Sequence, residues 1–208
     1  MIKKFLILFL ISFTSLFSQK LKFDVMTEYS IFEGKSFYDK SAYMISNNDN
    51  YIMQILNQYD GQQLAEVYDL KSLQEHQFKI KQSKSNSGLI TYSFVYIKTR
   101  TFERPHVKKK YFDFRIISYQ DNIETVKMIV YKNKSKSKIE SAIDLQILKS
   151  EVNFFPLFRF ACLHGLEFFT ELNYLNGGLV TSCISQKGSK IATLKAFLEV
   201  NLELTIPD

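Results

Sequence analysis

The chain has 208 residues, 46% hydrophobic and 15% aromatic, with 27 basic against 21 acidic side chains and a net charge of +6. That length suffices for one domain with a substantial core. The charge is too modest for a dedicated nucleic-acid binder, and two cysteines are too few for a disulfide framework.

Met1 to Ser18 has the three-part layout of a secretory signal peptide of bacterial type. Lys3 and Lys4 form a positive head, Phe5 to Phe17 is nearly all apolar, and the small Ser18 precedes polar Gln19-Lys20. The apolar run is short for a membrane span of about 20 residues. The expectation is an exported chain whose mature part, residues 19–208, is a single β-rich domain in the periplasm or outside the cell. Removing the two leader lysines brings the net charge from +6 to +4. No later apolar run approaches membrane length, so the mature chain is expected not to be transmembrane. No cysteine near the cleavage point suggests a lipid anchor.

From residue 21 onward the dominant period is two, the mark of half-buried strands. Leu21 to Ile31 alternates cleanly. Ser41 to Ser46 leads to a turn at Asn47 to Asn50, Tyr51 to Leu56 returns, and Asp60-Gly61 reads as a second turn. Leu64 to Leu70 and His76 to Lys81 suit a hairpin around Lys71 to Glu75. Leu64, Val67, Leu70 and Leu73 also suit one face of a helix. After a polar loop, Gln82 to Gly88, strands are expected at Leu89 to Arg100, Lys110 to Tyr119, Glu124 to Tyr131 and Ile139 to Leu148. Leu194 to Ile206 alternates over thirteen residues, a length found in curved sheets and barrels. It either forms an exposed edge or pairs with Leu21 to Ile31 to close the sheet.

Asn153 to Asn173 breaks the rhythm, being apolar on nearly all sides. It predicts one or two short buried helices, with Asn153 as cap, Pro156 in the first turn and Gly165 as a weak point. The fold class is therefore mainly β: a curved antiparallel sheet, half-barrel or partly closed barrel, with short helices around 153–173 packed on its concave side.

Three constellations are candidate sites. Arg159, Cys162, His164 and Glu167 cluster inside the apolar segment. A Cys with a His suggests a nucleophile and base, but residues two apart on a helix point to nearly opposite sides, and a buried Cys with a helix-end His and a surface or paired Arg is the simpler reading. Cys162 and Cys183 enclose twenty residues, and a disulfide there would stabilise by roughly 3 kcal/mol. Two buried free thiols remain the alternative. Lys132, Lys134, Lys136 and Lys138 would share one side of an extended chain and face an anionic surface, although the Ser/Asn spacing and flanking strands make a solvated hairpin loop the simpler reading. Lys108 to Lys110 invites the same plain reading. Tyr92, Phe94 and Tyr96 share one face of a strand and, with Phe158, would line a cavity for an apolar ligand or pack as an ordinary aromatic core. His76 and His106 stand alone. No glycine-rich phosphate loop, paired-Cys metal motif or serine elbow occurs, so no catalytic residue, metal or cofactor is expected.

The function expected is an exported, non-enzymatic envelope protein that binds a lipid-like ligand, with no nucleic-acid partner. The alternative is a structural or adhesion module that binds another envelope protein. An enzyme using Cys162 and His164 is a minor third reading.

Overall fold

A computed structural model describes residues 18–57, 62–84, 90–102, 109–185 and 190–207. The leader up to Phe17, the Asp60-Gly61 turn, His106 and Lys108 lie outside them. The described residues form one antiparallel sheet of eleven strands: β1 (Gln19–Glu33), β2 (Ser36–Ile45), β3 (Asn48–Asn57), β4 (Gln63–Asp69), β5 (Gln74–Lys84), β6 (Ile90–Thr101), β7 (Tyr111–Gln120), β8 (Ile123–Tyr131), β9 (Ile139–Leu148), β10 (Leu179–Ser185) and β11 (Lys190–Ile206). Among these residues there is one helix, α1 (Phe155–Cys162), between β9 and β10. The spatial order β6-β5-β4-β3-β2-β1-β11-β10-β9-β8-β7 makes a curved, open sheet with β6 and β7 at its edges.

The two longest alternating runs do pair with each other, but in the middle of the sheet rather than to close it. β1 and β11 form a ladder from Gln19↔Ile206 to Glu33↔Lys190. Leu64 to Leu70 is a strand, not a helix, because Asp69 fixes the turn that follows. Its Oδ1 accepts hydrogen bonds from Lys71 N (2.9 Å), Ser72 N (3.0 Å) and Asn50 Nδ2 (2.8 Å), an Asx-type turn that starts β5. β1 turns into β2 at Gly34-Lys35, where Gly34 has φ +62, as a two-residue hairpin demands. β10 is a strand that the sequence pattern did not reveal.

The register places two cores on opposite faces. Met44 pairs with Ile52 and Ile52 with Tyr68, and these three belong to the larger core under α1. Their neighbours Tyr43, Met53, Val67 and Phe78 point the other way and belong to a second core. In β1 the odd-numbered side chains divide between the two. Val25, Tyr29 and Ile31 join the helix-side core, whereas Leu21 and Phe23 join the second. The division falls where β11 carries an extra residue, between the pairs Phe23↔Leu202 and Val25↔Glu199. Such a bulge bends the ladder and increases its twist, so the terminal β1–β11 ribbon packs with the other face of β3 to β6. A second extra residue between Glu28↔Ala196 and Tyr29↔Leu194 breaks the alternation of β11 again. Leu194 therefore packs on the helix-side core while Leu198 is exposed.

Between β9 and β10 the chain makes an excursion across the helix face. Its two ends are fastened together: Phe154 N donates to Gly178 O (3.0 Å), Gly178 N to Val152 O (3.2 Å), and Asn153 Nδ2 to Asn173 Oδ1 (2.8 Å). Gly178 sits at φ +122, and a Cβ there would meet Ile147 Cγ2 at 2.7 Å and Leu148 O at 2.8 Å. Only glycine allows that approach. Asn153 Oδ1 accepts from Phe155 N (3.0 Å), so it holds the helix start from one residue before the cap position, and Pro156 occupies the first turn. All eight α1 residues are buried. The helix ends at Cys162, before Gly165 at φ +83. Of the one or two helices expected the described residues hold one, and three successive turns follow it, closed by Leu166 N to Leu163 O (2.8 Å), Phe169 N to Leu166 O (3.1 Å) and Leu172 N to Phe169 O (2.9 Å).

Candidate functional site

The face opposite α1 is half open. β6 supplies Tyr92, Phe94 and Tyr96, whose partners Gln82, Ile80 and Phe78 fix them on this side. The curl of the sheet brings β1, β2, β3 and β11 round to meet them. Between these strands lies a cleft of about 800 Å³, with Met26, Ile55, Ile80, Tyr92, Phe94 and Leu202 among its apolar lining. That volume is within the range of small-molecule sites, roughly 300–1,000 Å³. Glu28 and Asp39 also line it. Lys195 Nζ lies 2.8 Å from Glu28 Oε1 and 2.6 Å from Asp39 Oδ2, and Ser30 Oγ donates to Asp39 Oδ1 at 2.7 Å. Hydrogen bonds from Lys195 and Ser30 hold the Asp39 carboxyl below its ordinary value. The same contacts, from Asp39 and then Glu28, hold the Lys195 ammonium above its own. Burial, with a smaller push from the Glu28 charge and from Tyr92, raises the Tyr43 hydroxyl. The cleft thus has a partly buried tyrosine hydroxyl beside a charged rim.

Of the aromatic residues singled out in the sequence, Tyr92 and Phe94 line this cleft. Tyr96 packs its ring edge-on to buried Phe78 (centroids 5.7 Å apart), and its hydroxyl donates to Thr99 Oγ1 at 2.9 Å. Phe158 lies on the other face, fully buried, with ring centroids 5.8 Å from Tyr29 and 5.7 Å from Phe155. The four residues therefore do not share one site. The reason is topological: α1 covers the helix face, whereas the aromatic stripe of β6 faces the inside of the curl.

Arg159, Cys162, His164 and Glu167 do not converge either. Arg159 is almost fully buried and clamps the turns that follow α1. Its Nη1 donates to Leu172 O at 2.8 Å and Phe169 O at 3.1 Å, while Nε has no hydrogen-bond partner. Burial pulls its guanidinium down to about 10. Cys162 and Cys183 are both buried, free thiols in this structure. Burial pushes Cys162 well up, with the Cys183 charge adding to it, and pushes Cys183 up to about 11. That is opposite to what an activated thiolate nucleophile requires. His164 is largely in solvent, its Nδ1 3.3 Å from Glu167 Oε1.

The lysine run is a turn, not an extended face. Asn133 Nδ2 donates to Ser135 Oγ and Ser137 Oγ (both 2.8 Å), Lys138 N donates to Asn133 Oδ1 (3.1 Å), and Lys136 has φ +54. The side-chain hydrogen bonds of Asn133 close the loop and spread Lys132, Lys134, Lys136 and Lys138 around it. Lys109 sits over the Tyr111 ring at 6.0 Å, and Lys110 pairs with Glu140. His76 is buried and its Nδ1 lies 2.7 Å from Thr99 Oγ1. Among the described residues no group of three or more His, Cys, Asp and Glu side chains could hold a metal ion. Likewise none of their helices is long and apolar enough to cross a membrane.

The rim residues Glu28, Asp39 and Lys195 were not among the sequence candidates. Glu28 occupies a polar position of the alternating run Leu21 to Ile31, and Asp39 lies before the second expected run, Ser41 to Ser46. The Gly34-Lys35 turn was the available signal, since a two-residue hairpin there sets Ser30 opposite Asp39 and Glu28 opposite Ser41. Lys195 is the extra residue of a bulge, which no local pattern announces.

No protein-family model matches the chain, and no curated protein matches its sequence. A solved structure described as that of PNGF-II in a C2 space group is 10% identical with a TM-score of 0.36. The match covers 86% of this chain and 28% of that one.

Proposed function

We propose that this protein is an exported, non-enzymatic binder of an amphipathic ligand whose apolar chain lies in the cleft against Ile80, Phe94 and Leu202. The observation that carries the proposal is the cleft itself: a volume of about 800 Å³ with a largely apolar lining beside a charged rim, on the face opposite α1. Burying about ten methylenes would contribute about 8 kcal/mol at about 0.8 kcal/mol each. Immobilising the ligand takes back several of these, so micromolar affinity is expected. Export rests on the leader-like Met1 to Ser18 and agrees with a role in the cell envelope.

The test is purification of the processed chain from its host without detergent, then native mass spectrometry and organic extraction. A stoichiometric lipid-like adduct, absent from Tyr92→Ala, is the expected result. A clean apo mass together with no uptake of any fluorescent amphiphile would reject the proposal.

A second reading, an interaction module for another envelope protein, draws on the free edge β7, which exposes Ile116, Ile117 and Tyr119. An unpaired strand edge is a template for a partner strand. Crosslinking would then recover one reproducible protein partner and no small ligand.

A further inference from the structure

The charges around the cleft bear on which amphiphile it takes. This inference rests on the ligand-binding reading above. Two carboxylates, Glu28 and Asp39, stand at the lining and share a single ammonium, Lys195, at 2.8 and 2.6 Å. The rim therefore keeps one net negative charge. Lys40 also contributes to the lining, but it pairs with Tyr29, whose side chain lies in the helix-side core. Its Nζ donates to Phe160 O at 3.2 Å, so its charge is turned to the other face. Tyr43 and Tyr92 also line the cleft, whereas Tyr38 pairs with Ile31 of the helix-side core and its hydroxyl donates to Glu33 Oε2. Carboxylates together with aromatic faces are the chemistry that recognises an ammonium ion.

We propose that the ligand is a single apolar chain ending in an ammonium, held by Glu28, Asp39 and the tyrosine rings at the cleft rim. A phosphate next to that ammonium would bring a second negative charge to the same carboxylates, so the headgroup is an amine without phosphate. The expectation runs against the charge of the whole chain. At a net +4 once the two leader lysines are removed from the full chain's +6, non-specific attraction favours an anionic amphiphile, which makes a preference for the cation diagnostic of the local site.

The experiment is calorimetric titration at low salt, below micellar concentrations, with dodecylammonium, dodecanoate and dodecylphosphocholine. Dodecylammonium should bind at least about tenfold more tightly than dodecanoate and more tightly than dodecylphosphocholine. The Glu28→Gln/Asp39→Asn double variant should lose that preference. Lys195→Gln, which frees both carboxylates, should strengthen dodecylammonium binding, and this variant decides the matter if the double variant does not fold. Equal or tighter binding of dodecanoate or dodecylphosphocholine by the unaltered chain overturns the headgroup inference and leaves the cleft reading in place. Binding of none of the three overturns both.

Discussion

On the helix face Phe155, Phe158 and Phe160 are all but free of solvent, whereas on the opposite face Tyr92 keeps 53% of its surface in water. Both faces are built from alternating strands with similar aromatic content. What separates them is the cover. The helix face is sealed by the excursion from β9 to β10, whose phenylalanines meet those of the sheet: Phe168 contacts Phe102 at 4.9 Å, Phe155 contacts Phe114 at 5.5 Å, and Phe154 contacts Phe197 at 5.0 Å between ring centroids. Among the described residues the opposite face has only the sheet's own curl to close it, and the curl leaves a cleft. The same kind of residue is therefore sealed in a core on one face and partly exposed on the other.

The contrast is sharpest in a pair of substitutions. Phe158→Ala should cost about 3–5 kcal/mol of stability by denaturant unfolding, because it opens a cavity between Tyr29 and Phe155. A loss under about 1 kcal/mol would mean that the helix face is not tightly sealed. The cover can also be loosened at its clamp. Arg159→Met keeps the volume but leaves Phe169 O and Leu172 O without their donor. About 1–3 kcal/mol should be lost, with faster amide exchange confined to residues 163–173.

Acid should act through the turn that begins β5. Burial raises the Asp69 carboxyl, but hydrogen bonds from Ser72, Asn50 and Lys71 outweigh it and hold the folded value below the ordinary one. A carboxyl depressed on folding contributes stability that is present above its unfolded pKa of about 4 and is lost as pH falls through the folded value. Asp69→Asn should therefore lower the urea midpoint at pH 7, and the gap to the unaltered chain should narrow in acid. A gap independent of pH would mean that the turn does not rely on the charge. The smallest effect on stability belongs to Tyr92→Ala. With the ring half in solvent, its unfolding free energy should change by no more than about 0.5 kcal/mol, while retention of the ligand falls. A large loss of stability there would make the cleft an ordinary core.

Much of the sheet was legible because its signal is local. Leu21 to Ile31 buries every second side chain, and Glu124 to Tyr131 and Ile139 to Leu148 likewise alternate in the sequence. Asn153 to Asn173 stood out because its first half, Phe154 to Leu163, is buried throughout and has no polar face to show. β10 escaped notice: it has only seven residues, Leu179–Ser185, and its buried Val180 and Cys183 are three apart rather than two. The candidate site was half legible. Tyr92 and Phe94 were marked by their period, but nothing near them in the chain distinguishes a cleft wall from the core position of Tyr96.

The sequence by itself determined the strands, the apolar cover and its starting point at Asn153, since each follows from side-chain period and local hydrogen-bonding chemistry. Tertiary structure alone decided that the first and last strands meet at the centre of the sheet, that β11 spends two extra residues in bulges, and that Lys195 reaches Glu28 from 167 positions away. Register between distant strands depends on which faces both can bury at once. A bulge then re-aims every side chain beyond it, so one unbroken alternation in β11 serves two different faces.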